Sequence, residues 1–106
     1  MNEVRLVKPL VDEALRISEK ARNSDNYLYY MVCKAKLAAR GIDIDQISFT
    51  EALLRSSELG IPVFESCRRA RQKAQRANPD LAASDEVEAM RAVKEGEYRE
   101  FARDYR

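Results

Sequence analysis

Residues 60–78 read GIPVFESCRRARQKAQRAN, and this stretch decides the architecture. Gly60 marks a turn and Pro62 opens a helix, in which Phe64, Cys67, Ala70, Ala74 and Ala77 recur at three- and four-residue spacing. The polar side carries Arg68, Arg69, Arg71, Lys73 and Arg76 against the single acid Glu65, so residues 62–78 are net +4. Elsewhere the charge is balanced or acidic. Residues 1–61 hold nine acids and nine bases, and residues 79–106 hold eight acids and five bases. A short apolar helical stretch precedes the basic helix across the glycine turn. That order outlines a helix-turn-helix and makes nucleic acid the first partner to weigh.

Upstream of the turn, Ser48 and Glu51 have the spacing of a capping box for a helix over about 49–58. Its Phe49 and Leu53, with Leu54 a third candidate, are expected to be inward. Further out, Val7, Leu10, Val11, Ala14, Ile17 and Ala21 form one stripe, predicting a helix over about 3–22. Ser24 is a good N-cap for a helix over about 25–40, apolar around most of its circumference and ended by Gly41. Asn78-Pro79 stops the basic helix, because a residue before proline avoids helical geometry. Ser84 then caps a charged helix over about 85–104, whose thin stripe is Val87, Met90, Tyr98, Phe101 and Tyr105. No segment alternates as a strand would. The fold class is therefore all-α: a compact four-helix core over 1–79, a helix-turn-helix-like pair at about 49–78, and an appended C-terminal helix over 80–106.

Composition bounds the function. At 106 residues, 45% apolar and 35% charged, the chain reads as one soluble, highly charged domain of the cytoplasm. A net charge of +1 argues against a general polyanion binder, so any nucleic-acid contact is local. No run approaches a membrane span, and MNEVRLVK lacks a signal-peptide pattern. Cys33 and Cys67 read as small buried thiols, too few for a structural zinc site in a chain without histidine. The missing histidine also removes the commonest neutral-pH acid–base, and there is no P-loop or EF-hand loop. Asp43 and Asp45 read as a solvated loop in preference to a metal site. No enzyme and no cofactor are expected.

The candidate nucleic-acid contacts are Arg68, Arg69, Gln72, Lys73 and Arg76, because arginine forks match phosphate oxygens. Arg69 and Arg71 flank the inner stripe, and Gln72 and Gln75 are candidates for base edges. Against base reading, the N-terminal residues of the basic helix are Val63, Phe64, Glu65 and Ser66. Positive charge late in a helix also complements the macrodipole, and salt bridges to the acidic tail would occupy it without any ligand. Tyr27, Tyr29 and Tyr30 suggest a stacking platform or, far more commonly, core packing with at most one exposed.

Three pieces of the chain resemble a family of small uncharacterised proteins of tailed bacteriophages and prophages. They are Asp25, Leu28 and Tyr29 before an apolar helix; Ser66 and Cys67, then Arg68 through Lys73 to Asn78-Pro79-Asp80-Leu81; and Ser84, Val87 and Tyr98 through Phe101. Together they span roughly residues 25–105. The likeness implies a phage or prophage accessory protein in a bacterial cytoplasm. The expected role is contact with DNA through residues 62–78, with three to five phosphates giving a log–log salt slope of roughly −3 to −4.5. The alternative is a module that docks on a host or phage replication, transcription or defence protein without touching DNA. The C-terminal stripe offers a homodimer seam.

Overall fold

The chain folds as seven α-helices and two 3₁₀ turns, with no strand among the described residues. The structure is a computed structural model describing residues 2–104, with side chains described through Glu100. Phe101 and Tyr105 of the C-terminal stripe lie outside the described side chains. The helices are α1 (Glu3–Ile17), α2 (Glu19–Asn23), α3 (Asp25–Ala38), α4 (Phe49–Leu54), α5 (Ser56–Leu59), α6 (Phe64–Ala77) and α7 (Asp85–Asp104). None is long and apolar enough to cross a membrane, among the described residues.

The all-α class is as expected, whereas the membership of the core differs from the sequence reading. One cluster joins Val7, Val11, Ala14 and Leu15 of α1, Ala21 of α2, Leu28 and Val32 of α3, and Cys67, Ala70 and Ala74 of α6. Small residues on α6 let α1 and α3 approach closely. The helix expected over 3–22 is broken at Ser18, which is extended at φ −134° and ψ 113°. Its N–H closes α1 on Ala14 O, and its hydroxyl accepts from Ala21 N to start α2. The break turns Ala21 into the core and leaves Ile17 63% exposed, correcting its inward assignment. Of the three tyrosines, Tyr30 is just exposed while Tyr27 and Tyr29 are half-buried.

Local signals elsewhere work as read. Ser24, Ser48 and Ser84 accept from Tyr27 N, Glu51 N and Val87 N. Gly41 and Gly60 both sit at φ 75° and close Schellman turns, with Ile42 N on Leu37 O and Ile61 N on Ser56 O. The capping box at Ser48 is only half made, because Glu51 turns to Arg55 and does not reach back.

The larger correction concerns residues 49–59. A single helix was expected there, but the helix breaks at Arg55, and Phe49, Leu53 and Leu54 are 78%, 61% and 82% exposed. The apolar side of α6 is already covered by α1 and α3, so α4 has no face to bury against. The α4–α5 segment is held at its far end, by buried Leu59 and by Arg40 Nη1 donating to Glu58 O at 2.5 Å. The helix–turn–helix order is present, with its first member at the edge of the molecule.

Among the described side chains, α7 is attached to the core through its first two turns, as far as Arg91. Ser84 N donates to Asn23 Oδ1 at 2.8 Å, and Ala83 is buried. Met90, Val93 and Tyr98 are 55%, 61% and 77% exposed. The Cα radius of gyration is 15.3 Å, against about 13 Å for a tightly packed chain of this length. The overhanging half of α7 accounts for the direction of that difference.

Candidate nucleic-acid interface

α6 begins without a capping side chain of its own, since Val63 occupies the N-cap. Glu3 supplies the cap from α1: Oε1 accepts from Val63 N at 3.0 Å and from Ser66 Oγ at 2.6 Å. The Tyr29 hydroxyl donates to Pro62 O at 2.7 Å, and its ring meets Phe64 edge-on at 5.3 Å. These contacts fix the angle at which the basic helix enters the core. Burial, and secondarily Cys33, pushes the Tyr29 phenol above its ordinary range.

Arg71 sits four residues after Cys67 and three before Ala74, on the inward line of α6, and only 8% of its side chain is exposed. Its Nε and Nη2 donate to the two carboxylate oxygens of Asp25 at 2.8 and 3.2 Å. Nη1 donates to Gln75 Oε1 at 3.3 Å, which also accepts from Arg91 Nη1 of α7 at 3.3 Å. Gln75 Nε2 donates to Arg22 O and Leu81 O at 3.2 and 2.9 Å. Both amide protons and two acceptor positions of Gln75 are thereby engaged, so it is a structural residue and not a base reader. Arg91 Nη2 lies 3.6 Å from Asp25 Oδ1, so two arginines share one carboxylate. Burial and the charge of Arg71 lower the Arg91 pKa.

The sequence reading missed Asp25 and the buried role of Arg71. A readable signal existed: an arginine at the i+4 and i−3 position between two inward small residues needs a buried partner. Which acid would answer it was not readable, because Asp25 lies 46 residues away in the chain.

The five proposed contacts divide. Arg69, Lys73 and Arg76 are exposed on the outward side of α6, with Gln72 half-buried beside them. Arg68 is different. Its Nε and Nη2 donate to both oxygens of Glu65 at 2.8 and 2.5 Å, and only 35% of its side chain is exposed. That hydrogen bond raises the Arg68 pKa and holds the Glu65 carboxyl below the usual range, with Glu95 of α7 adding to the field at Arg68. Arg69 touches the same Glu65 at 3.4 Å. Lys73 and Arg76 make no ion pair among the described residues. Such a face can meet phosphate oxygens without first breaking a buried pair.

The remaining candidates have other roles. Asp43 Oδ1 accepts from Asp45 N at 2.9 Å, which closes a 3₁₀ turn at Ile44–Gln46. No group of three or more metal-ligating side chains occurs among the described residues. Cys33 and Cys67 are buried free thiols, and burial pushes Cys67 up to about 12 and Cys33 upward from 9.0. Neither has the lowered pKa of a nucleophile. A shallow open groove lies between α1 and the end of α6, with Ala74 and Ala77 lining it beside Lys8, Asp12, Arg16 and Asp80.

Comparison with family models, curated proteins and solved structures gave no match. The likeness to phage proteins rests on the quoted motifs alone.

Proposed function

We propose that this chain is a non-enzymatic accessory protein, of the phage or prophage type its motifs resemble, that contacts the DNA backbone through the outward face of α6. One observation carries this reading: Arg69, Lys73 and Arg76 stand exposed together on a helix whose other side is anchored in the core. Backbone contact needs fixed positive charge and little else, and it is sequence-independent. Base reading is not part of the proposal, because Val63 and Glu65 occupy the helix start and Gln75 is committed to the core.

Three cations give a log–log salt slope of about −2.7. Arg68 adds to it only by exchanging Glu65 for phosphate. The test is anisotropy of a labelled random duplex at two salt concentrations, with a triple variant Arg69→Glu, Lys73→Glu, Arg76→Glu. All three positions are exposed, so the variant keeps its helical circular dichroism. Loss of binding in the variant supports the reading; unchanged binding ends it.

A protein partner on the same face is the second reading, favoured by the Arg68–Glu65 pair, which makes that face mixed in charge near the helix start. It predicts selective binding of one acidic partner in place of salt-sensitive binding of any duplex.

A further inference from the structure

Glu65 is the only acid of α6, and it stands on the basic face itself. Arg68, Arg69, Gln72 and Arg76 follow it at the three- and four-residue steps that line side chains along one side of a helix. Two guanidiniums hold its carboxylate at once. Oε2 accepts from Arg68 Nε at 2.8 Å and Oε1 from Arg68 Nη2 at 2.5 Å, while Arg69 Nε lies 3.4 Å from the same Oε1. Among the described residues neither arginine pairs with any other carboxylate. Glu95 of α7, the other acid near Arg68, is bonded to Arg99 at 2.8 Å.

An arginine fork takes two phosphate oxygens in the same way that it takes two carboxylate oxygens. Glu65 therefore fills, with oxygens of this chain, the place at which a backbone phosphate would meet Arg68. The helix start does not need it as a cap, because Glu3 already accepts from Val63 N and Ser66 Oγ. The side chains of Arg68 and Glu65 are 35% and 45% exposed, so the pair lies at the solvent edge, where such pairs add little to stability and exchange readily.

We infer that Glu65 is a built-in competitor for DNA phosphate, which withholds Arg68 from the backbone-contact face of α6 and so limits the affinity of that face. This rests on the reading of α6 as a backbone-contact helix and adds the residue that restrains it. With Glu65 charged, Arg69, Lys73 and Arg76 make the contacts. With Glu65 neutral, Arg68 becomes a fourth cation, and the log–log salt slope steepens from about −2.7 to about −3.6.

The experiment measures anisotropy of a labelled random duplex across a salt series, using the full chain and Glu65→Gln. Glutamine keeps the length of the side chain and removes its charge. The comparison variant is Asp80→Asn, which removes the same charge from an exposed residue four positions beyond Arg76 that has no ion pair among the described residues. Glu65→Gln is expected to bind about fivefold tighter at low salt, with the steeper slope. Asp80→Asn should leave the slope unchanged. In an Arg68→Ala background the gain from Glu65→Gln should fall below about twofold, since its route is gone. Circular dichroism checks that each variant keeps its helical content. If the parent chain binds and Glu65→Gln binds equally well with the same slope, the inference is overturned. Equal gains from Glu65→Gln and Asp80→Asn overturn it too, because net charge alone would then be responsible. So does a gain that persists in full without Arg68. Absence of duplex binding by every variant, Glu65→Gln included, is a different failure: it removes the reading of α6 itself and this inference with it.

Discussion

Arg71 shows how one side chain can belong to a basic run and still have no part in its surface. It places a guanidinium against Asp25 with two bonds and hands its third nitrogen to Gln75. Removing one partner strands the other in a largely buried site. Arg71→Ala is expected to cost about 3 kcal/mol in urea unfolding, the lower end for a broken buried pair because Asp25 keeps some solvent contact. Asp25→Ala in that background should then cost much less than alone. A single-variant cost under about 1 kcal/mol would show that the pair behaves as an exposed one. Gly60 and Gly41 offer a second test at this scale. Both have φ 75°, yet a Cβ at Gly60 would come within 2.8 Å of Arg40 Nη2 while one at Gly41 meets nothing. Each alanine carries the left-handed penalty of about 1 kcal/mol, and Gly60→Ala should cost more by displacing Arg40. In an Arg40→Ala background the two costs should converge; a persistent gap would place the difference elsewhere.

Among the elements, α6 depends on α1 for its start as well as its packing. Glu3 caps it across 60 residues of chain, a task usually done by a neighbouring serine or aspartate. Glu3→Ala is expected to lose about 1 kcal/mol and to speed hydrogen exchange at Val63 and its neighbours before the rest of α6. Uniform acceleration along the helix would mean that the cap does not act locally. The same dependence explains why α4 is left at the edge. The apolar pattern of residues 49–54 was legible, and so was the Ser48 cap, but a pattern only states that a face seeks cover. It does not state that α1 has already taken the place. α7 makes the complementary case: its bounds were readable from Ser84 and its acidic first turn, whereas its attachment through Arg91 to Gln75 and Asp25 was not.

For the molecule as a whole, the buried thiols work against stability at alkaline pH. In the fold Cys67 stays protonated up to about 12, while in the unfolded chain it ionises from 9.0. Below pH 9 this group leaves stability level. Between 9.0 and about 12 the unfolded state sheds its proton first, and stability falls by up to about 1.4 kcal/mol per pH unit. Cys67→Ala should flatten part of that decline in denaturant titrations between about pH 8 and about pH 10.5, which bracket the ordinary thiol pKa. Identical slopes in the two proteins would refute the assignment. Thiol reagents should likewise label Cys33 and Cys67 only on unfolding, since both are buried.

The sequence by itself determined the all-α class, the caps at Ser24, Ser48 and Ser84, the glycine turns, the stop at Asn78 and the outward position of Lys73 and Arg76. Each of these follows from interactions within a few residues, where periodicity and capping chemistry act. Only the tertiary structure decided that α1 would cover the small face of α6, that Asp25 would bury Arg71, and that Phe49, Leu53 and Leu54 would face solvent. Those outcomes depend on which of several apolar faces meet. That choice is made by close packing among segments tens of residues apart, and no local pattern encodes it.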